Sequence, residues 1–201
     1  DEELTIDLGS LEPLVACPHM PDNVDTVAHV GPIKVDQVFI GSCTNSSYQD
    51  MMRVARILKG KTVHPDVSLV IGPGSRQVLT MLARNGALAD MIAAGARILE
   101  TACGPCIGMG QSPKTGAVSI RTNNRNFYAR SGTASAGIYL TSCETAAVSA
   151  LTGVLTDPRC LNVDLTIPMP QHFDVNDNLV LPPVQEVAVV HALEVKARQD
   201  V

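Results

Sequence analysis

The sequence predicts an α/β fold, a three-layer α/β/α arrangement on a mostly parallel sheet. Three observations lead there. Short β-branched runs are each followed by a segment whose apolar residues recur at helical spacing. That cycle repeats from about residue 35 to residue 152. The chain of 201 residues is 45% hydrophobic but only 3% aromatic, without a Trp, so its core is built from Val, Ile, Leu, Ala and Met. Strands alternating with helices imply parallel pairing with helices on both faces.

Taken in order, residues 1–36 read as a loop-rich lead-in packed on the domain. Prolines at 13, 18 and 21 leave little room for regular structure before Val35. The α/β core runs over 37–158. VDQVFIG (35–41) reads as a buried strand ended by Gly41. Ser, Thr and Asn at 44–47 offer N-caps for a helix carrying Met51, Val54, Ala55 and Leu58, with Gly60 at its end. VSLVIG (67–72) is a second strand; RQVLTMLARNG and ALADMIAAG are two helices. ARILETA (96–102), GAVSIRT (116–122) and AGIYLTS (136–142) are further strands, the last feeding ETAAVSALTG as a helix. After Asp157-Pro158 the periodicity fades, and 159–201 reads as an extended tail or linker with a short helix in VAVVHALEVKARQDV.

Charge and composition exclude several classes. A net charge of −5 argues against nucleic acid or an anionic membrane as partner. No apolar run approaches the roughly 20 residues of a membrane span, and the acidic DEELTIDLGS start lacks the features of a signal peptide. Six cysteines are too sparse for a disulfide scaffold, which points to a reducing, cytoplasmic setting. A charged fraction of only 17% suggests that part of the surface faces another domain or subunit.

The chemistry is concentrated in three loops that follow strands. GSCTNSS carries Cys43, TACGPCIGMG carries Cys103 and Cys106, and RTNNRNFYAR carries Arg121, Arg125 and Arg130. If their strands are parallel, all three emerge at the carboxyl edge of the sheet, where α/β proteins bind ligands. A C-x-x-C pair is either a redox dithiol or a pair of metal-binding thiolates. Gly108, Gly110 and Pro113 oppose the long helix that a thioredoxin-type dithiol opens, and no Trp precedes the motif. A structural zinc site needs four N/S ligands, and the histidines lack the spacing; Cys17-Pro-His19 is at most a half-site. Three soft thiolates from two loops fit an iron–sulfur cluster better, leaving one iron open to an oxygen-rich substrate. Arg125 and Arg130, with Asn123, Asn124 and Asn126 around them, suit carboxylates.

Together GSCTNSS, ACGPCIGM and NRNF-x-x-R closely resemble the aconitase superfamily: aconitase, homoaconitase and the large subunit of isopropylmalate dehydratase. The resemblance runs over nearly all of residues 5–158. CGPCIGMGQ, SGTASAGIYL and ALTGVLTDPR are most similar to a bacterial and archaeal aconitate hydratase and homoaconitase branch, whereas dehydratase large subunits more often show CSMC in place of CGPC. The resemblance implies that Cys43, Cys103 and Cys106 ligate a 4Fe-4S cluster and that Arg125 and Arg130 bind substrate carboxylates. It places Asn124 beside the cluster as a hydrogen-bonding neighbour. The implied reaction is dehydration and rehydration of a tricarboxylic or dicarboxylic hydroxy-acid. Ala129 stands where Gly is usual, Asn123 where Tyr or Phe is common, and TSCE (141–144) replaces Ser-Pro-Glu. Cys17, Cys143 and Cys160 match no ligand position.

Family members are several hundred residues long, and the resemblance covers only their third, cluster-ligating domain. It therefore implies partner domains that supply the acid–base groups, no catalytic residue in this segment, and no turnover by the 201-residue chain alone. The competing reading from another class is a thiol redox or metal-binding module.

Overall fold

The computed structural model describes residues 3–178, 180–181 and 183; the helix expected in VAVVHALEVKARQDV lies outside these. A seven-stranded sheet forms the centre of the domain. Its strands are β1 (Leu14–Ala16), β2 (Val24–Thr26), β3 (Gln37–Gly41), β4 (Ser68–Gly72), β5 (Arg97–Ile98), β6 (Val118–Arg121) and β7 (Gly137–Leu140), in the spatial order β2-β1-β7-β6-β3-β4-β5. Strands β7, β6, β3, β4 and β5 are parallel to one another; β1 runs antiparallel to both β7 and β2. The lead-in thus contributes a hairpin to the sheet edge, where the prolines suggested loop only. An antiparallel pair of three residues per strand leaves Pro13, Pro18 and Pro21 outside the ladder, so they do not block it.

Helix α1 (Val27–Val30) is a single turn beside β2; the others are α2 (Tyr48–Leu58), α3 (Arg76–Arg84), α4 (Ala87–Ala93) and α5 (Cys143–Thr152). Helix α2 begins with a reciprocal cap. The Ser47 hydroxyl accepts from the Asp50 amide, and the Asp50 carboxylate accepts from the Ser47 amide. Ser75 and Ser142 cap α3 and α5 in the same way through their hydroxyls.

Helices α2 to α5 all touch one another through α2, so they form one layer on one face. The second helical layer expected from the sequence is replaced by loops. The handedness of the crossovers explains this. From β3 the chain steps to β4 and then β5 in one direction, and right-handed connections put α2, α3 and α4 on one face. The steps β5 to β6 and β6 to β7 run the other way, so their connections cover the opposite face. Those connections hold only one 3-10 turn, Pro105–Ile107, and no α-helix.

On the helical face the inward residues of the sheet are apolar: Val38, Ile40, Leu69, Ile71 and Ile120 pack with Met51, Val54, Leu58, Ala146, Ala147 and Ala150. Burying each large aliphatic side chain there is worth about 1.5–3 kcal/mol. The extended segment after residue 160 crosses this layer. Arg56 donates to the carbonyls of Asp164 and Thr166, and Phe173 meets Tyr48 edge-on at 6.0 Å. Among the described residues, no helix is long and apolar enough to cross a membrane.

Candidate functional site

The sheet order reverses between β3 and β6: from β3 the chain proceeds to β4, while from β6 it proceeds to β7 on the other side. Ligands of open α/β sheets bind beyond the carboxyl ends of the strands at such a reversal. The loop with Cys43 leaves β3, and the loop with Arg125 and Arg130 leaves β6, so both flank the reversal directly. The loop with Cys103 and Cys106 leaves β5, at the far edge of the sheet, and returns across its loop-covered face.

Hydrogen bonds at the end of β6 draw the three loops together. The Asn45 amide, two residues after Cys43, donates to the Thr122 carbonyl. The Thr122 hydroxyl accepts from the Gly41 amide at 2.8 Å. Asn123 Nδ2 donates to Cys106 Sγ at 3.0 Å, linking the arginine loop to a thiol. Ser131 Oγ donates to the Cys106 carbonyl at 3.0 Å. Gly108 and Gly132 make the same contact at backbone range: with φ of +85° and +80°, each leaves no room for a Cβ. A Cβ on Gly108 would lie 2.8 Å from the Gly132 nitrogen.

The three thiols differ in setting. Cys43 and Cys103 are exposed, whereas Cys106 is 8% exposed. Among the described residues, no three His, Cys, Asp or Glu side chains converge on a single-ion site. Iron–sulfur clusters are held by cysteine thiolates, and the donor set of three free thiols suits one. Buried Asn123 Oδ1 has no partner, an orphaned polar atom on the side chain whose amide nitrogen meets Cys106.

Backbone strain marks the same loops. Among the described residues, the two non-glycine residues with positive φ are Ser42 at +77° and Ala129 at +56°, one beside Cys43 and the other beside Arg130. Strain of this kind, about 1–3 kcal/mol per residue, collects at functional sites. Ala129, which stands where Gly is usual, thus keeps the left-handed backbone.

The arginine loop is anchored by Asn126, which is 0% exposed and donates to the carbonyls of Cys17 and Ile138 at 2.8 and 3.2 Å. Arg125 is exposed, and its Nη1 donates to Asn124 Oδ1 at 3.3 Å. Arg130 is half-buried, and its Nε, fully covered, has no acceptor. Asn124 is exposed, so the side chain that meets a thiol is Asn123 rather than Asn124. His19 faces the Tyr128 ring edge-on at 5.2 Å at the rim of this loop.

Two groups lay beyond sequence reasoning. Arg121 reads as a loop cation but is a fully buried strand residue, opposite Phe39 in the ladder. Burial pulls its guanidinium down to about 10, opposed by nearby Cys106, and it stays protonated at neutral pH. Asn123, grouped in the sequence with the asparagines around the arginines, instead meets the Cys106 thiol. Cys143 lies at the start of α5 and donates to the Asn45 carbonyl at 3.2 Å; burial pushes its thiol far above the ordinary range. Cys17 is half-buried with its thiol raised by burial and Asp25, and Cys160 is exposed. A cleft of about 530 Å³, lined by Arg53, Glu144 and the 165–167 segment, belongs to the helical side and holds none of these thiols.

Fold and site together define an α/β domain that gathers thiols and guanidinium groups at the switch point of a parallel sheet. The chain belongs to the aconitase family: the profile of that family (aconitate hydratase) matches residues 23–153. It is 47% identical over 161 residues to the 3-isopropylmalate dehydratase large subunit 1 of Methanopyrus kandleri, covering 79% of this chain and 38% of that protein. The large subunits of Moorella thermoacetica and Thermotoga maritima (its subunit 1) are 42% and 44% identical, over 79% of this chain and 38% and 39% of those proteins. The chain spans about two fifths of the length of the curated relatives it matches. These relatives are dehydratase large subunits, although CGPC inclined the sequence towards an aconitate hydratase branch.

Proposed function

We propose that this chain is the cluster-bearing domain of a hydro-lyase of the isopropylmalate dehydratase large-subunit type. The observation that carries the reading is the meeting of two thiol loops and an arginine loop at the end of β6, through Asn45–Thr122, Asn123–Cys106 and Ser131–Cys106. Cys43, Cys103 and Cys106 would hold a 4Fe-4S cluster, which supplies an iron with an open position as a Lewis acid for hydroxyl and carboxylate oxygens. Arg125 and Arg130 bind the carboxylates of a dicarboxylic or tricarboxylic hydroxy-acid, the covered and unpartnered Arg130 Nε being ready for an acceptor. Asn123 steadies Cys106, and Asn124 orients Arg125. Similarity to dehydratase large subunits favours the dehydratase; CGPC at 103–106 supports the aconitate hydratase and homoaconitase alternatives.

A dithiol module is the poorer reading. The second half of the C-x-x-C enters a 3-10 turn, Pro105–Ile107, closed by Gly108, not the start of a long helix. The rim of the thiol edge exposes Ile107, Met109, Phe127 and Tyr128, a surface suited to cover by the other domains or subunits of such an enzyme. We place the general acid and base on those parts and expect no turnover from the 201 residues alone. Six free cysteines fit a cytoplasmic setting.

The test is anaerobic reconstitution with iron and sulfide, then titration with 3-isopropylmalate and with citrate, followed by cluster absorption and electron paramagnetic resonance. The dehydratase reading expects 3-isopropylmalate to perturb the signal at lower concentration than citrate. A response to citrate alone selects the aconitate hydratase branch. Measurable hydration by the isolated chain would contradict the division of labour.

A further inference from the structure

Beneath the thiol loop lies a guanidinium that no part of the proposed reaction uses. Arg121 is 0% exposed and has five N–H groups, and each has a neutral acceptor. Nε donates to Ser119 Oγ at 3.1 Å. Nη1 donates to the Pro105 carbonyl at 2.6 Å and to Ser131 Oγ at 3.2 Å. Nη2 donates to Gln37 Oε1 at 3.0 Å and to the Gln111 carbonyl at 3.2 Å. The Phe39 ring lies 5.6 Å from the guanidinium carbon. None of these partners is a carboxylate, so the hydrogen bonding is complete while the charge is not neutralised.

The acceptors bracket Cys106. Pro105 immediately precedes it, Gln111 ends its loop, and Ser131 passes the contact on by donating to the Cys106 carbonyl. Only a planar fork with donors on both nitrogens reaches all of these at once; an ammonium offers three donors from one point. A buried charge that lacks a counter-ion is retained where an anion is brought near it. The anion nearest this position is the Cys106 thiolate, one residue beyond the Pro105 acceptor, together with a cluster bound to it.

Resting on the cluster reading above, we propose that Arg121 is the positioning residue of the cluster: it sets the shape of the Cys103–Cys106 loop and supplies the fixed positive charge behind it. Such a charge favours the more negative, reduced cluster. Removing it therefore drives the reduction potential down. Gln37 provides a way to cancel the charge without moving the fork. Its Oε1 already accepts from both Arg121 and Ser119, so Gln37→Glu keeps both bonds and adds a carboxylate.

The experiment compares wild type, Gln37→Glu, Arg121→Lys and Arg121→Met after anaerobic loading with iron and sulfide. Iron content, the rate of iron loss to a chelator and the cluster's reduction potential are read for each. Wild type loads fully. Gln37→Glu loads to the same extent with a more negative potential. Arg121→Met loses iron about 10- to 100-fold faster. Arg121→Lys also loses iron faster, yet its potential stays near that of wild type. An unchanged potential in Gln37→Glu overturns the charge role, and unchanged iron retention in Arg121→Met and Arg121→Lys overturns the loop role. If Arg121→Met does not fold, Gln37→Glu and Arg121→Lys decide both. A wild-type chain that takes up no iron overturns the cluster reading itself, and this proposal with it.

Discussion

The two faces of the sheet are covered by different means, and they do different work. On the helical face, Val38, Ile40 and Ile120 meet α2 and α5 through apolar contacts alone. On the opposite face the same two strands present Gln37, Ser119 and Arg121, a polar layer under loops. Side chains alternate along a strand, so β3 and β6 hold both surfaces within five and four residues. Apolar packing is tolerant of sequence and gives stability. The polar layer must have every donor met, and in return it fixes one loop geometry. Stability and site therefore lie back to back on the same strands and can be separated by substitution.

Cys43→Ala and Cys106→Ala should abolish cluster uptake, the largest effect expected, while the unfolding midpoint changes little for exposed Cys43. Iron analysis and thermal unfolding read the two sides independently. Ile57→Ala or Leu58→Ala, both fully buried in α2, should cost about 2–5 kcal/mol in denaturant unfolding. Their iron uptake under native conditions should match wild type. Arg130→Lys should weaken carboxylate binding by about 1.5–3 kcal/mol in a titration of the loaded protein, since an ammonium cannot replace the fork.

At the amino ends of the strands, far from the thiols, Asp36 gives a control for the site-bearing edge. Its carboxylate accepts from Lys114 Nζ at 2.7 Å and from the Val118 amide at 3.0 Å, and these hold its pKa below the usual range, Lys114 foremost. A depressed carboxyl contributes stability that is present above the unfolded value near 3.9 and is lost as pH falls through the folded one. Asp36→Asn should cost less than about 1 kcal/mol at neutral pH, because Lys114 is largely exposed. The difference should vanish in acid unfolding curves. The smallest effect falls on the strained loop. Ala129→Gly relieves a φ of +56°, but glycine's greater freedom in the unfolded chain offsets part of the gain, so it should stabilise by only about 0.5 kcal/mol in thermal unfolding, without altering iron content.

Much of this was legible in the sequence. The parallel core and its helices follow from periodicity and caps, and Cys43 stands out because its Ser-Thr-Asn surroundings are too polar for an ordinary core thiol. Other parts were not. The β1–β2 hairpin is made of two three-residue strands in a proline-rich stretch, and its partner β7 lies more than a hundred residues away. The strand expected over 96–102 shortens to Arg97–Ile98, because the chain turns there to carry its cysteines back across the sheet. Arg121 opens RTNNRNFYAR in the sequence and so reads with the loop arginines. Only its register opposite Phe39 turns it inwards, and register is a property of strand pairing.

The central claim is that Cys43, from one strand's loop, completes a cluster with Cys103 and Cys106 from another's. The most direct measurement is iron and sulfide per chain after anaerobic reconstitution, wild type against Cys43→Ala. The expected result is about four of each in wild type, with cluster charge-transfer absorption, and none in the variant. Equal iron in both proteins, or a reversible Cys103–Cys106 disulfide with no iron in either, would contradict it.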